Sequence, residues 1–418
     1  MLLVSFGLAI FVSASNLFAG DFPSEKVDLK KLTPEQQAGQ LLLFGIHETQ
    51  MSKELRSFLN QTEPGGYVFF KRNIPDLPSF QSLITELKKV SSLSPQRPPF
   101  FAIDEEGGRV SRLPFSPRVP SAAAIGQSRQ PELARTVGVE VGLAMSQLGL
   151  NLNLAPVLDL GGQNNFLKSR TFSRSSQWVS KFGVEFSQGL LSQGVLPCAK
   201  HFPGMATSTS DPHFQVSKGY FKKNKDFEES LFPFRAFAES APHGVVMMSH
   251  LIYPQLDSIA PAVYSPKIYR LLRNQLRFNG LIVTDDLQMD GIKGANQKSF
   301  KENVFKALLA GADVVMITWS RKAQREAHAY LVQMIRSGKF PEKQLNEKLE
   351  RIQKAKEWIH LNQAALSDFR RVASESSPQQ KKEINSDLIQ VSTDKISSQE
   401  LLQVWRKIRP QSQKLNKL

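Results

Sequence analysis

The sequence predicts an α/β fold, a (β/α)8 TIM-type barrel forming a single catalytic domain with a C-terminal extension. Three observations lead there. Eight short apolar runs, often β-branched, recur between residues 33 and 360. Amphipathic helical patterns separate them. Charged and reactive residues gather just past the runs, at the end where barrel enzymes place their sites. An open doubly wound sheet is the alternative. It needs a Gly-rich phosphate loop after an early strand, and the sequence has none.

The elements follow in order. Thr33-Pro34 reads as a helix start, a capping residue followed by proline at the first helical position. The strand candidates are Leu41–Ile46, Gly66–Phe70, Phe100–Asp104, Leu152–Leu160, Val195–Phe202, Gly244–His250, Leu281–Asp285 and Ala312–Thr318. Each is short enough to be a buried parallel strand. Helical periodicity predicts Leu77–Val90, Pro131–Leu148, Gln177–Ser192, Phe227–Glu239, Pro266–Leu276, Lys301–Leu309 and Arg321–Ser337 between them. A last helix, Glu342–Ile359, follows Pro341.

The two ends differ in character. Residues 2–12 form an apolar run too short for the ~20 residues of a membrane-spanning helix. Small and polar residues follow as far as Gly20, so residues 1–20 read as a secretory signal peptide. A periplasmic or secreted location is expected, cytoplasmic if that segment is not a signal. The absence of cysteine near the cleavage region argues against a lipid anchor. Residues 21–365 form the expected barrel domain, and 366–418 a basic, partly disordered extension rich in Ser, Gln and Lys. Leu401, Leu402, Val404, Trp405 and Ile408 give that tail one short amphipathic stretch.

Composition narrows the class. Hydrophobic residues make up 41% and charged residues 22% of the 418, which excludes bulk disorder and a polytopic membrane protein. The single cysteine, Cys198, excludes an internal disulfide framework and a thiolate zinc cluster. With 53 Lys and Arg against 38 Asp and Glu, the net charge of +15 favours anionic partners. No helix-turn-helix, zinc-finger or stacked-aromatic module accompanies it, so no nucleic-acid partner is expected.

The rim residues carry the chemistry. Lys71-Arg72-Asn73 follow the second run, Asp104-Glu105-Glu106-Gly107-Gly108-Arg109 the third, and Asp159 ends the fourth, with Arg170 in its loop. Lys200-His201 end the fifth, Ser249-His250 the sixth and Thr284-Asp285-Asp286 the seventh. Asp285 could attack an electrophilic carbon, stabilise a cation or bind a metal. Alternation along a strand turns Asp286 to the other side, so at most one of the pair is the working group, and Asp286 reads as a helix cap. Asp211-Pro212-His213 places a carboxylate where it can orient an imidazole. His201, His213, His250 and Asp285 could surround zinc, but no HxxxH or HxH pair supports that, and no metal is expected.

Longer stretches carry a resemblance. Phe101–Leu113 resembles the I-D-x-E-G-G-R-V-x-R-L segment of family 3 glycoside hydrolases, and more narrowly of the bacterial β-N-acetylglucosaminidase (β-hexosaminidase) branch. Gly65–Ile74 is similar to its G-G-x-x-x-F-x-R-N-I strand, and Asn153–Leu160 to its N-x-A-P-V-x-D run. Lys200–Gly204 is similar to its K-H-F-P-G signature, and Gly280–Met289 to its G-x-V-x-[ST]-D-D-L-x-M segment. The motifs arrive in family order. One loop departs: where the family reads K-H-F-P-G-H-G-D-T, this chain has Met205, Ala206 and Thr207 in place of the His, Gly and Asp.

The resemblance implies roles. Asp285 matches the nucleophile, His213 the general acid/base and Asp211 its supporting carboxylate, while Asp104, Arg112, Arg170, Lys200 and His201 match sugar-binding positions. It implies a retaining exo-β-N-acetylglucosaminidase that acts without metal or organic cofactor on peptidoglycan fragments such as muropeptides. An exo-β-glucosidase of the same family, or a non-catalytic muropeptide- or wall-binding protein, stays open as the alternative. No integral membrane span is expected, and the chain is expected to be a monomer.

Overall fold

A computed structural model of the chain describes residues 32–90, 98–161, 167–205, 217–221, 223–289 and 299–375. Helix α1 (Pro34–Gln40) begins where expected. Thr33 Oγ1 accepts from Gln36 N, and Gln36 Oε1 accepts from Thr33 N, closing a capping box. Strand β1 (Leu42–Gly45), helix α2 (Lys53–Thr62), β2 (Gly66–Phe69), α3 (Leu77–Val90) and β3 (Phe100–Ile103) follow. Next come α4 (Ala122–Gln127), α5 (Pro131–Leu148), β4 (Leu152–Asn153), α6 (Ser176–Leu191), β5 (Leu196–Phe202), α7 (Asn224–Ser240) and β6 (Val245–Met248). A small antiparallel hairpin, β7 (Ile252–Tyr253) and β8 (Asp257–Pro261), precedes α8 (Pro266–Arg270). The chain then forms β9 (Leu281–Thr284), α9 (Phe300–Ala310), β10 (Val315–Ile317), α10 (Arg321–Arg336) and α11 (Glu342–Glu375).

Eight strands pair in parallel in the order β10-β1-β2-β3-β4-β5-β6-β9. A parallel bridge between Val283 and Val314 joins the two ends, so the sheet closes into the expected barrel. Its strands are buried on both faces, which explains why they read as continuous apolar runs rather than alternating ones.

Departures from the expected elements have local causes. The fourth strand is a two-residue ladder instead of Leu152–Leu160, because Pro156 has no N–H to give. Pairing resumes beyond it, where Val157 bridges Lys200 and Leu158 N donates to Lys200 O at 2.7 Å. The expected helix Pro266–Leu276 widens into a π-turn at Leu271–Gln275. That turn carries Arg273, which bonds the carbonyls of Phe278 (2.8 Å) and Gly280 (2.7 Å) and the Asp313 carboxylate. Helix α11 runs past the expected end at Ile359 to Glu375, into the first residues of the expected extension.

Helix α11 also docks on the end of the barrel opposite the rim. Lys356 Nζ donates to Gln40 Oε1 at 2.7 Å, Lys348 Nζ to Ala312 O at 2.8 Å and Arg351 Nε to Asp313 Oδ1 at 2.8 Å. Asp313 is fully buried and also accepts from Ile282 N. Among the described residues no helix is long and apolar enough to cross a membrane.

Candidate active site

The loop after β3 is shaped by Gly107 and Gly108, both in the left-handed region at φ 82° and 60°. Their turn lets Glu106 N donate to Val110 O at 2.9 Å and folds the chain back over the barrel mouth. Asp104, Glu105 and Glu106 then diverge into three different roles.

Asp104 and Glu106 share a lysine. Lys200 Nζ, at the end of β5, lies 2.8 Å from Asp104 Oδ1 and 2.7 Å from Glu106 Oε1. Arg170 grips Glu106 with two parallel bonds of 2.8 Å, from Nε and Nη2. Burial alone would raise the Glu106 carboxyl, but Arg170 and Lys200 outweigh it and hold it well below the usual carboxylate range. Burial likewise works against the charge of Lys200, and Asp104 and Glu106 outweigh it, raising its pKa above the usual lysine value. Glu106 is therefore held as an anion between the cations Lys200 and Arg170. Arg112 Nη2 stands 3.8 Å from Asp104 Oδ2, and its buried Nε has no hydrogen-bond partner. Asp104 and Arg112, the more exposed members, present their polar edges toward the mouth, backed by a rigid charged layer.

Glu105 faces inward. Its Oε2 accepts from the backbone amides of Arg112 (2.8 Å) and Leu113 (3.0 Å), which fixes the segment carrying Arg112. Burial pushes its carboxyl up to about 7, against the lowering effect of Ser111 and those amides. His201 points its Nδ1 at Asp159 Oδ2, 2.7 Å away. Asp159 Oδ1 also accepts from Met205 N at 2.8 Å. The backbone at Met205, where the family carries histidine, is thus held by a carboxylate that also orients the site imidazole.

Asp285 and Asp286 separate as strand alternation requires. Asp286 is buried and committed to its surroundings. Its carboxylate accepts from the Thr318 hydroxyl, from Thr318 N and from Gln288 N. Burial raises it to about 6, with the Asp285 charge contributing in the same direction. It caps a turn rather than the helix that the sequence suggests, since Leu287 and Gln288 are in turn conformation. Asp285 is half-exposed, and its Oδ1 accepts from Asp286 N at 2.8 Å. Burial pushes the Cys198 thiol up; Lys200 opposes that, while Asp104 and Asp285 add to it. One buried position inside the barrel therefore feels the charges of β3, β5 and the tip of β9 together.

The structure brings Asp104, Arg112, Arg170, Lys200 and His201 onto one rim with Asp285. Asp211 and His213 lie outside the described residues. Among the other rim candidates, His250 Nε2 lies 3.0 Å from Asp286 O, while Lys71 is exposed. Sequence reasoning places two further residues on the rim without giving them a role. Glu106 is the hub for Lys200 and Arg170, and Asp159 orients His201. Both lie inside the quoted motifs, which is the signal that could have singled them out. Among the described residues no group of three or more His, Cys, Asp or Glu side chains is placed to hold a metal ion.

Comparison with known proteins agrees with this fold. The profile for "Glycosyl hydrolase family 3 N terminal domain" matches residues 33–355. A "Beta-hexosaminidase" of Stenotrophomonas maltophilia is 31% identical over 297 residues, 69% of this chain and 86% of its own. A solved family 3 β-N-acetylglucosaminidase from Paenibacillus sp. superposes with a TM-score of 0.74 at 28% identity. That match covers 79% of this chain, which spans only 63% of that longer protein. A β-N-acetylhexosaminidase from Beutenbergia cavernae has a TM-score of 0.71 at 25% identity, covering 78% of this chain and 99% of its own. The chain belongs to glycosyl hydrolase family 3, in its β-hexosaminidase branch.

Proposed function

We propose that this chain is a retaining exo-β-N-acetylglucosaminidase that removes terminal non-reducing N-acetylglucosamine from peptidoglycan fragments through a covalent glycosyl-Asp285 intermediate. Family membership supports the coarser activity, exo-glycosidase action on N-acetylglucosamine-containing substrates. The observation that carries the finer reading is the division of labour between the aspartates. Asp286 is committed to Thr318 and Gln288, whereas Asp285, just past the end of β9, stays partly exposed.

The chemistry is coherent. Cleaving a glycosidic bond builds oxocarbenium character, which the Asp285 carboxylate stabilises and then captures at the anomeric carbon. The leaving oxygen takes a proton from His213, supported by Asp211. The same imidazole then removes a proton from the water that releases the sugar, so configuration is retained. Asp104, Lys200, His201, Arg112 and Arg170 would bind or brace the contacts to the sugar hydroxyls.

The reading is tested by assaying a chromogenic β-N-acetylglucosaminide beside the matching β-glucoside, with Asp285→Asn as control. Preference for the glucoside would favour an exo-β-glucosidase. Sugar binding by calorimetry with no turnover above the control would favour a binding protein. We further propose export, with a mature chain beginning near Asp21. Its positive charge suits an anionic wall matrix. Mass spectrometry of the native N-terminus checks this, and a retained Met1 would refute it.

A further inference from the structure

The polar groups of the site sit on the tips of β3, β4 and β5. The other side of the mouth, formed by the adjacent tips of β10, β1 and β2, carries rings instead. Trp319 follows β10, His47 follows β1 and Phe70 follows β2. The Trp319 ring lies 6.0 Å from that of Phe70 and 6.3 Å from that of His47. Arg72 fills the wedge between the two larger rings, its Cζ 4.2 Å from the Phe70 centroid and 4.7 Å from that of Trp319. Its buried Nε and Nη2 have no hydrogen-bond partner, and the guanidinium also feels the charge of Asp286.

This cluster is mounted rigidly. Gln288 Oε1 accepts from Trp319 N (2.8 Å) and Ser320 N (2.9 Å), tying the indole's backbone to the segment that carries Asp285. Asn73 Nδ2 donates to Ile46 O and Glu48 O, both at 2.9 Å, and its Oδ1 accepts from Phe70 N at 2.8 Å. Yet Trp319 is 56% exposed. An indole held in place by a cation, a ring and two backbone anchors, and left open at the mouth, is a preformed apolar surface with little ordering cost left to a ligand.

We propose that Trp319 is the stacking platform for the pyranose ring on the leaving-group side of the scissile bond. Sugar rings present patches of C–H to a flat aromatic face while their hydroxyls point sideways to water or polar groups. The terminal sugar, which must be recognised by its hydroxyls and acetamido group, suits the charged side. The next ring, recognised by its shape, suits the indole. The proposal rests on the N-acetylglucosaminidase reading above.

The test compares two substrates with the same terminal sugar, a β-1,4-linked N-acetylglucosamine disaccharide and methyl β-N-acetylglucosaminide. Full-length wild type, Trp319→Ala and Trp319→Phe are assayed on both. The ratio of kcat/KM for the disaccharide over the methyl glycoside should fall about tenfold in Trp319→Ala, the size of an aromatic stacking contact. Trp319→Phe should recover most of it, and should the alanine form not fold, Trp319→Leu, which keeps bulk without a flat ring, should show the same fall. A ratio unchanged in the alanine or leucine variant overturns the platform while leaving the activity intact. If wild type cleaves neither substrate, the N-acetylglucosaminidase reading fails, and the platform with it.

Discussion

Lys200 Nζ lies 2.7 Å from Glu106 Oε1, and the two side chains are only 3% and 2% exposed. The pair comes from different strand tips, and each member has a second partner, Asp104 for the lysine and Arg170 for the glutamate. Such a group is worth little against an apolar substitute but is costly to break, because the remaining charges stay buried.

Glu106→Gln should therefore lower stability by ~3 kcal/mol in urea unfolding, since Arg170 and Lys200 would share one remaining carboxylate, Asp104. Activity should fall with it, mainly through KM, as Lys200 turns further onto Asp104. Wild-type stability and KM in this variant would mean that the network braces nothing.

Asp285 and Asp286 should differ when each is changed to asparagine. Asp285→Asn should abolish turnover while the protein melts as wild type does. Asp286→Asn should retain measurable turnover but unfold earlier, because the Thr318 and Gln288 contacts are weakened. Steady-state kinetics paired with thermal melts separates the two patterns. The opposite result would make Asp286 the nucleophile and Asp285 the structural carboxylate.

His213→Ala separates the two chemical steps. Glycosylation by a substrate with a dinitrophenolate leaving group should survive, whereas natural aglycones should lose ~10²–10⁴-fold. Deglycosylation would lack its base, so added mass should accumulate on Asp285 and azide should restore turnover. Natural-substrate turnover within a few-fold of wild type would send the search for the acid/base to His250 and Glu105.

Glu105 gives a pH signature. Its folded-state pKa of about 7 lies above the ordinary carboxyl value of 4.5. The folded state therefore holds this proton more tightly than the unfolded chain does. The resulting stability is present below pH 4.5 and is lost as pH rises through about 7, a loss on the order of 3 kcal/mol for a fully buried group. Glu105→Gln, which cannot ionise, should flatten urea stability between about pH 4.5 and 7, the window that this shift spans. A slope equal to that of wild type would place the titrating group elsewhere, with Asp286 next, since its folded value of about 6 acts in the same direction.

Much of this is legible in the sequence, for a physical reason. Strands buried on both faces leave uninterrupted apolar runs, and all eight barrel strands carry that mark. What escapes a sequence reading is short or local. Helix α2 shows Leu55, Phe58, Leu59 and Thr62 on one buried face behind a Ser52 cap, a pattern that could have been read. The six-residue α4 and the two-residue strand β7 are too brief for periodicity to mark. At the site, the motifs expose Asp104, Lys200 and Asp285 as residues of the right kind. Glu106 is named on the rim but its role stays unread, because its importance comes from Lys200 and Arg170, which only the closed barrel brings to it. Trp319 draws no notice, since a single tryptophan after a strand says nothing about which neighbours will hold it open.

The docking of α11 bears on how the molecule is made. Its lysines and arginine reach Gln40, just before β1, and Ala312 and Asp313, just before β10. These flank the seam where β10 pairs with β1, the ladder that joins the earliest and latest parts of the barrel. During synthesis the first seven strands can emerge and begin to pair, but the ring stays an open sheet with two bare edges until β10 arrives. Helix α11 leaves the ribosome after every strand of the barrel and latches that seam from below. A nascent chain stopped before Glu342 would hold the whole charged rim and the ring cluster, with no clasp to keep the barrel shut.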